Sequence, residues 1–372
     1  MKKIGILNFH FGNKNYGAVL QAAALQYFLK KNGYVPQNID FQPDGSFDNI
    51  FLDQLRNLKL WVKSLDKKKK NSTKIISSNA FDLFRKKWIT VTEESFFKPS
   101  QLYKTDFNYY AYIVGSDQVW RNEYTGRAIA SYFFSFVKSQ EPKRVAYAAS
   151  FGVDQWELPI KHKKTKKIVE LIKQFDFVSV RERSGVEICK STFGVNSELV
   201  IDPTLLVDSS FFDEIAEDSK FKTDSDYIAL YKLDQDDEFL KYLNIVKEET
   251  DLEVIDIYKT ETASEICYTL VGDWVAMIRG AKMVVTDSFH CCCLAVIYNK
   301  PFIFYPPKHN RGMTRIYNLF DMLCLDLVGL IKPNADEVAK FGSSVDYQTP
   351  NLLLKNWKDK SSAALLSALE NG

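Results

Sequence analysis

Val284-Val285-Thr286-Asp287-Ser288-Phe289-His290 is the stretch on which the fold turns. The apolar residues Met283 to Val285 read as a strand. A short polar turn follows, and an apolar helix starts near Ser288 and runs through Leu294-Ala295-Val296-Ile297-Tyr298. A strand passing into a helix through so short a turn is the building unit of a parallel α/β sheet. The junction also delivers His290 to the carboxyl end of a strand. That edge is where open α/β sheets bind ligands, and the helix amino terminus beside it favours anions. Imidazole is the side chain best suited to proton transfer near neutral pH. Taken singly, however, a histidine here reads more readily as one packed under the sheet edge.

Outward from this junction the same alternation fills the chain. Lys3 to Asn8 reads as a strand, Tyr16 to Lys31 as a helix closed by Gly33, and Tyr34 to Phe41 as the next strand. Residues from about 44 to 105 are irregular, with helical pieces and the run Lys67 to Lys70. Tyr112-Ile113-Val114 and Val145-Ala146-Tyr147-Ala148 are short buried strands. A basic helix over about Leu158 to Gln174, a strand Phe177 to Val180, a helix after Ser184 and a strand Glu198 to Ile201 complete one doubly wound unit. A polar, acidic stretch from Asp213 to Asp226 reads as a link, after which the pattern restarts. Strand Tyr227–Tyr231, helix Asp237–Glu249, strand Leu252–Ile257, helix Leu270–Gly280, the His290 junction and strand Phe302–Tyr305 follow in turn. The fold class expected is therefore α/β, with two Rossmann-like units facing across a cleft. The first spans residues 1–212 on the acceptor side and includes the 44–105 insertion. The second spans 225–350 on the donor side. A helix within 351–372, about Trp357 to Leu369, is amphipathic and is expected to pack back on the first unit.

Composition narrows the class of function. With 46% hydrophobic and 26% charged residues, the 372-residue chain is that of a folded globular protein rather than a disordered one. A net charge of +2 gives no whole-molecule field for nucleic acid. No apolar run approaches the roughly 20 residues that span a bilayer. The opening Met1-Lys2-Lys3-Ile4-Gly5-Ile6-Leu7 fails as a signal peptide because Asn8, His10, Asn13 and Lys14 interrupt it early, so a cytoplasmic location is expected. Cys291, Cys292 and Cys293 are adjacent on a helix, where neighbours point about 100° apart, and no Cys-x-x-Cys pair exists. A metal site is not expected. The runs Lys67–Lys70 and His162-Lys163-Lys164-Thr165-Lys166-Lys167 read first as solvated surface, with peripheral contact to an anionic inner-membrane surface as the second reading.

Several strand ends carry polar clusters. The first βα loop, Asn8-Phe9-His10-Phe11-Gly12-Asn13-Lys14-Asn15-Tyr16-Gly17, lacks the G-x-G-x-x-G fingerprint, so no dinucleotide is inferred. Its asparagines, Asn13 and Asn15, suit sugar hydroxyls or an anion, and a ligand-free turn explains the same residues. Gly115-Ser116-Asp117-Gln118-Val119-Trp120-Arg121 offers Asp117 to orient or accept a hydroxyl proton, Gln118 to bind hydroxyls and Trp120 to stack on a sugar. The plainer alternatives are a helix cap for Asp117 and core packing for Trp120. Arg181, in Arg181-Glu182-Arg183-Ser184, is placed to clamp a carboxylate or phosphate, or else to pair with an acid. Asp202-Pro203-Thr204 reads as a brace between loops. Lys308, His309, Arg311 and Arg315 follow the Phe302–Tyr305 strand and would complement an anionic substrate.

Five of these segments, taken in order, resemble the polysaccharide pyruvyl transferase family. They are Asn15-Tyr16-Gly17-Ala18-Val19-Leu20-Gln21, Val114-Gly115-Ser116-Asp117-Gln118-Val119-Trp120, Ser179-Val180-Arg181-Glu182, Asp202-Pro203-Thr204 and Thr286-Asp287-Ser288-Phe289-His290, the last followed by Asn299-Lys300-Pro301-Phe302-Ile303. The resemblance implies a GT-B-like fold with the active site in the cleft. It implies phosphoenolpyruvate as co-substrate, with no further cofactor. The acceptor would be a lipid-linked or nucleotide-linked saccharide precursor of a surface polysaccharide, and the product a cyclic pyruvate ketal with release of phosphate. On that reading His290 is the general acid, with Asp117 beside it. Arg181, Ser288, Lys308 and Arg311 hold the donor, while Asn13, Asn15, Gln118 and Trp120 face the acceptor. One position departs from the family pattern: Cys291 stands where a glycine is usual, and its Cβ is expected to narrow the donor pocket. Two rival readings are a nucleotide-sugar glycosyltransferase of the same architecture and a non-catalytic sugar- or anion-binding relative.

Overall fold

The computed structural model describes residues 1–12, 14–43, 75–76, 79–233, 235–261, 265–307, 313–341 and 345–370. Two parallel sheets organise them. The larger has seven strands in the order Val91–Phe96, Val35–Phe41, Lys3–Leu7, Ala111–Val114, Lys143–Ala149, Phe177–Val180 and Glu198–Leu199. The second has five, in the order Glu253–Asp256, Tyr227–Tyr231, Met283–Thr286, Phe302–Phe304 and Gly329–Ile331. All neighbours in both sheets pair in parallel. The expected α/β class and its two Rossmann-like units are what the chain builds. A small third sheet joins Lys259–Glu261, Glu265–Tyr268 and Ile75–Ile76.

Burial explains why the apolar runs became central strands. Ala111–Val114 and Tyr227–Tyr231 are buried along their whole length, as strands covered on both faces must be. Helix Tyr16–Lys31 is buried on most of its surface, which its alanines permit by letting neighbours approach closely. Asn15 caps it, its side-chain oxygen accepting from the Ala18 amide at 3.1 Å. Tyr16, at its first turn, joins the units. The ring stacks on Trp274 at 4.8 Å between centroids, and the hydroxyl donates to the Thr269 carbonyl at 2.7 Å.

Three elements differ from the sequence reading. Val91–Phe96, inside the stretch read as irregular, is a strand on the edge of the large sheet; its polar centre, with Glu93, Glu94 and Ser95 exposed, carries no apolar alternation. The basic helix starts at Lys163 rather than near Leu158, because Pro159 and the His162 cap set its beginning. The carboxy-terminal helix is longer, Gln348–Glu370. It lies against the first unit: the Tyr110 hydroxyl donates to the Leu369 carbonyl at 2.8 Å, and Ser361 Oγ accepts from the Ile201 amide at 3.2 Å. Among the described residues no helix is long and apolar enough to cross a membrane.

Candidate active site

In each sheet the winding direction reverses at one place. In the large sheet it lies between Lys3–Leu7 and Ala111–Val114, and in the small one between Tyr227–Tyr231 and Met283–Thr286. Loops diverge at such a switch point and leave a crevice at the carboxyl ends of the strands. Here the two crevices meet in a single cavity of about 330 Å³. Lys14, Asn15, Asp117 and Gln118 line it from the first switch point, and Tyr231, Leu233 and Asp287 to His290 from the second, with Arg315 completing the wall.

His290 sits in the first turn of helix Phe289–Ile297, whose amino terminus Ser288 caps by accepting from the Cys291 amide at 3.4 Å. The imidazole reaches across to the other unit. It lies so close to Gly17 that a Cβ there would stand 2.0 Å from Nδ1, so the glycine in Tyr16-Gly17-Ala18 is a space left for this ring. On its other side Nε2 is 3.6 Å from Asp202 Oδ2 and 3.4 Å from Arg181 Nη1. Asp202 Oδ2 also accepts from Ser116 Oγ at 2.6 Å and from Arg181 Nη1 at 2.5 Å. Burial by itself would raise the Asp202 carboxyl, but His290, Arg181 and Ser116 together hold it well below the usual carboxylate range. Asp202 and Arg181 thus flank the Nε2 edge of the ring and fix where it sits. Sequence reasoning assigned Asp202 to bracing alone, and its contact with His290 spans 88 positions that no local motif connects.

Two assignments are corrected by the structure. Arg181 is not a cavity wall: its side chain is 1% exposed, and Asp117, Asp202 and Glu182 lie 3.3, 2.5 and 3.8 Å from its guanidinium nitrogens. Burial lowers its basicity and these three carboxylates more than restore it. The charge is spent on holding the acids that surround His290. Trp120 is fully buried, stacked on Phe133 at 4.8 Å with its Nε1 donating to the Tyr132 carbonyl, so it offers no face to a sugar. Cys291 also departs from expectation. Its side chain is fully buried in the core and absent from the cavity wall, so its Cβ does not narrow the pocket.

Among the rest, Asn15, Asp117, Gln118, Ser288 and His290 come together around the cavity, while Asn13, Lys308, His309 and Arg311 lie outside the described residues. Gln118 is laid over Gly152, where a Cβ would stand 2.0 Å from its Oε1, and that oxygen accepts from Arg121 at 3.0 Å. Asp287 is tied down by a buried ion pair with Lys232 at 2.9 Å and accepts the Leu233 amide. Arg315 stands in the cavity wall. Its Nε is buried without a hydrogen-bond partner, and its guanidinium lies 5.7 Å from the Phe289 ring. Burial and the nearby Arg181 charge push its pKa down to about 10. It remains a cation at neutral pH, and no ion pair to it is seen among the described residues.

The family model for polysaccharide pyruvyl transferase matches residues 15–309. Among solved structures the chain is similar to Arabidopsis thaliana UGT89C1 complexed with UDP, at 10% identity and a TM-score of 0.46, covering 100% of this chain and 96% of that one. It is also similar to UDP-GlcNAc 2-epimerase from Neisseria meningitidis bound to UDP-GlcNAc, at 12% identity and a TM-score of 0.45, covering 99% and 100%. The wall teichoic acid polymerase TagF matches at 13% identity with a TM-score of 0.43, over 99% and 88%. No curated protein matches the chain. With the family model spanning most of its length, this chain belongs to the polysaccharide pyruvyl transferase family.

Proposed function

We propose that the chain transfers the enolpyruvyl group of phosphoenolpyruvate to a hexose of a lipid-linked or nucleotide-linked polysaccharide precursor, forming a cyclic pyruvate ketal. The observation that carries this reading is Arg315, a guanidinium in the wall of the cavity that also holds His290, with its Nε buried and without a hydrogen-bond partner. Phosphoenolpyruvate brings a phosphate and a carboxylate, and a site for it needs both a cation and a proton donor. Arg315 supplies the cation, and the amino terminus of helix Phe289–Ile297, with the Ser288 hydroxyl, supplies oriented donors for the second anionic group.

His290 gives its proton to the methylene carbon, which becomes the methyl group and leaves C2 electrophilic. Neutral His290 then takes up the proton of the attacking hydroxyl. The first hydroxyl oxygen bonds to C2, the C2–O bond to phosphate breaks, and the second hydroxyl closes the ring. Of the two hydroxyl protons released, one balances that spent on the methyl group and the other leaves with phosphate. Asn15, Asp117 and Gln118, which line the same cavity from the first unit, would hold the hydroxyls.

Calorimetric titration with phosphoenolpyruvate, with UDP and GDP as controls, tests the reading without knowledge of the acceptor. Saturable binding is expected, weakened about 10- to 100-fold in Arg315→Ala, since a hydrogen-bonded charge contributes about 1.5–3 kcal/mol. Binding of a nucleotide in place of phosphoenolpyruvate would overturn it in favour of glycosyl transfer.

A further inference from the structure

The stretch from Ile160 to Lys173 holds six lysines against one glutamate, in a chain whose total net charge is only +2. The structure shows how this charge is arranged. Helix Lys163–Ile172 buries Thr165, Ile168 and Ile172 against the first unit and turns its polar face outward. Lys161, Lys163, Lys166 and Lys167 are all exposed on and beside that face. Glu157, just before it, is engaged with Arg121, which leaves Glu170 as the acid within the stretch. At the head of the helix, Ile160 is 68% exposed. Apart from Met1 it is the most exposed large apolar side chain among the described residues, and it stands beside the lysine cluster. It suits a surface that offers both negative charge and hydrocarbon.

The position of this face ties it to the cavity. Lys164, the lysine turned inward, donates to Asn122 Oδ1 at 3.2 Å and to the Gly126 carbonyl at 2.9 Å. Those contacts bracket Tyr124, which lines the cavity. The segment leading to the helix leaves Gly152, beneath Gln118, and at Asp154 accepts a hydrogen bond from the Thr314 hydroxyl at 2.5 Å, one residue from Arg315. The head of the basic helix is therefore fastened twice to the rim of the cavity.

We propose that Ile160 and the exposed lysines of this helix form a docking face for an anionic lipid bilayer, which brings the cavity mouth to an acceptor carried on lipid. Lysine ammonium groups would lie at the headgroups, while Ile160 enters the acyl boundary. The proposal rests on the lipid-linked form of the acceptor given above, but the docking itself needs neither donor nor acceptor.

The experiment is co-sedimentation of the full chain with vesicles of phosphatidylcholine alone or mixed with phosphatidylglycerol. Binding is expected to the mixed vesicles and not to phosphatidylcholine alone, falling as salt is raised. The variant Lys161→Glu/Lys163→Glu/Lys166→Glu/Lys167→Glu should lose at least about tenfold in partitioning, since each basic residue contributes substantially at such a surface. Ile160→Ser should weaken binding without altering its salt dependence. Equal sedimentation of the parent and the fourfold variant, or no binding to the mixed vesicles, would overturn the docking face. Phosphoenolpyruvate titration of the same variants, expected to be unchanged, separates that failure from a failure of the pyruvyl transfer reading and shows that the variants are folded.

Discussion

His290 is held between a glycine and a carboxylate, and the ring and the glycine each make a separate prediction. His290→Ala should lower phosphate release at least about 100-fold while leaving phosphoenolpyruvate affinity within a few-fold, because general acid catalysis is worth about 10²–10⁴ and Arg315 still binds the donor. Comparing turnover with calorimetric affinity checks this, and an equal loss in both would make His290 a binding residue. Gly17→Ala is the sharper case. In an ordinary helix the change would stabilise by about 1 kcal/mol. Here the new methyl enters the space of the imidazole, 2.0 Å from Nδ1. We expect an intact fold by circular dichroism with turnover reduced at least about tenfold, reproducing His290→Ala without touching the ring's chemistry. How much of this was legible depended on the reach of each contact. The histidine, its strand end and its helix could be read locally. The assignment of Arg181 to the donor failed because a guanidinium at a strand end looks the same whether carboxylates surround it or not, and the residues that surround it come from positions 117, 182 and 202.

At the scale of elements, the edge of the large sheet carries its own electrostatic tie. Asp40, in Val35–Phe41, accepts from His10 Nε2 at 2.9 Å and from Ser95 Oγ at 2.5 Å, linking the first loop, a strand and the edge strand Val91–Phe96. Burial opposes ionisation of this carboxyl, yet His10, Ser95 and Gln42 prevail and bring its pKa to about 2. The folded value lies below that of the unfolded chain, so the tie is fully present above about pH 4 and is lost as pH falls through about 2. Asp40→Asn should cost on the order of 1–2 kcal/mol at pH 7 and flatten the acid limb, a range set by linkage and reduced for partial solvent screening. Urea midpoints recorded from pH 6 to pH 2 for both proteins check it; parallel acid limbs would remove Asp40 from the account. The edge strand itself was missed because a polar strand shows no apolar period. The central strand Ala111–Val114 was legible because burial on both faces forces an unbroken apolar run.

Across the whole molecule, the cavity exists only while two sheets hold their switch points together, and Tyr16 sits where that alignment is decided. It belongs to the first unit by sequence, but its ring packs on Trp274 and Tyr231 and its hydroxyl reaches the Thr269 and Tyr258 carbonyls, all in the second. One core cluster runs through this junction without a break, from Val19 and Leu20 to Val275 and Val284. A continuous apolar seam should make the two units melt together, so the parent chain is expected to show a single calorimetric transition. Removing the ring in Tyr16→Ala opens a cavity at the seam, a change that costs about 3–5 kcal/mol for a core aromatic. The loss falls on the contact between the units rather than inside either one. The expected result is therefore two resolved transitions instead of one displaced downward. Tyr16→Phe keeps the stacked ring and gives up the hydroxyl, so it should cost about 1 kcal/mol or a little more and retain one transition. A single, merely lower transition in Tyr16→Ala would show that the other contacts across the seam suffice. The alignment of His290 with Gly17 would then be a property of the whole interface rather than of this one tyrosine.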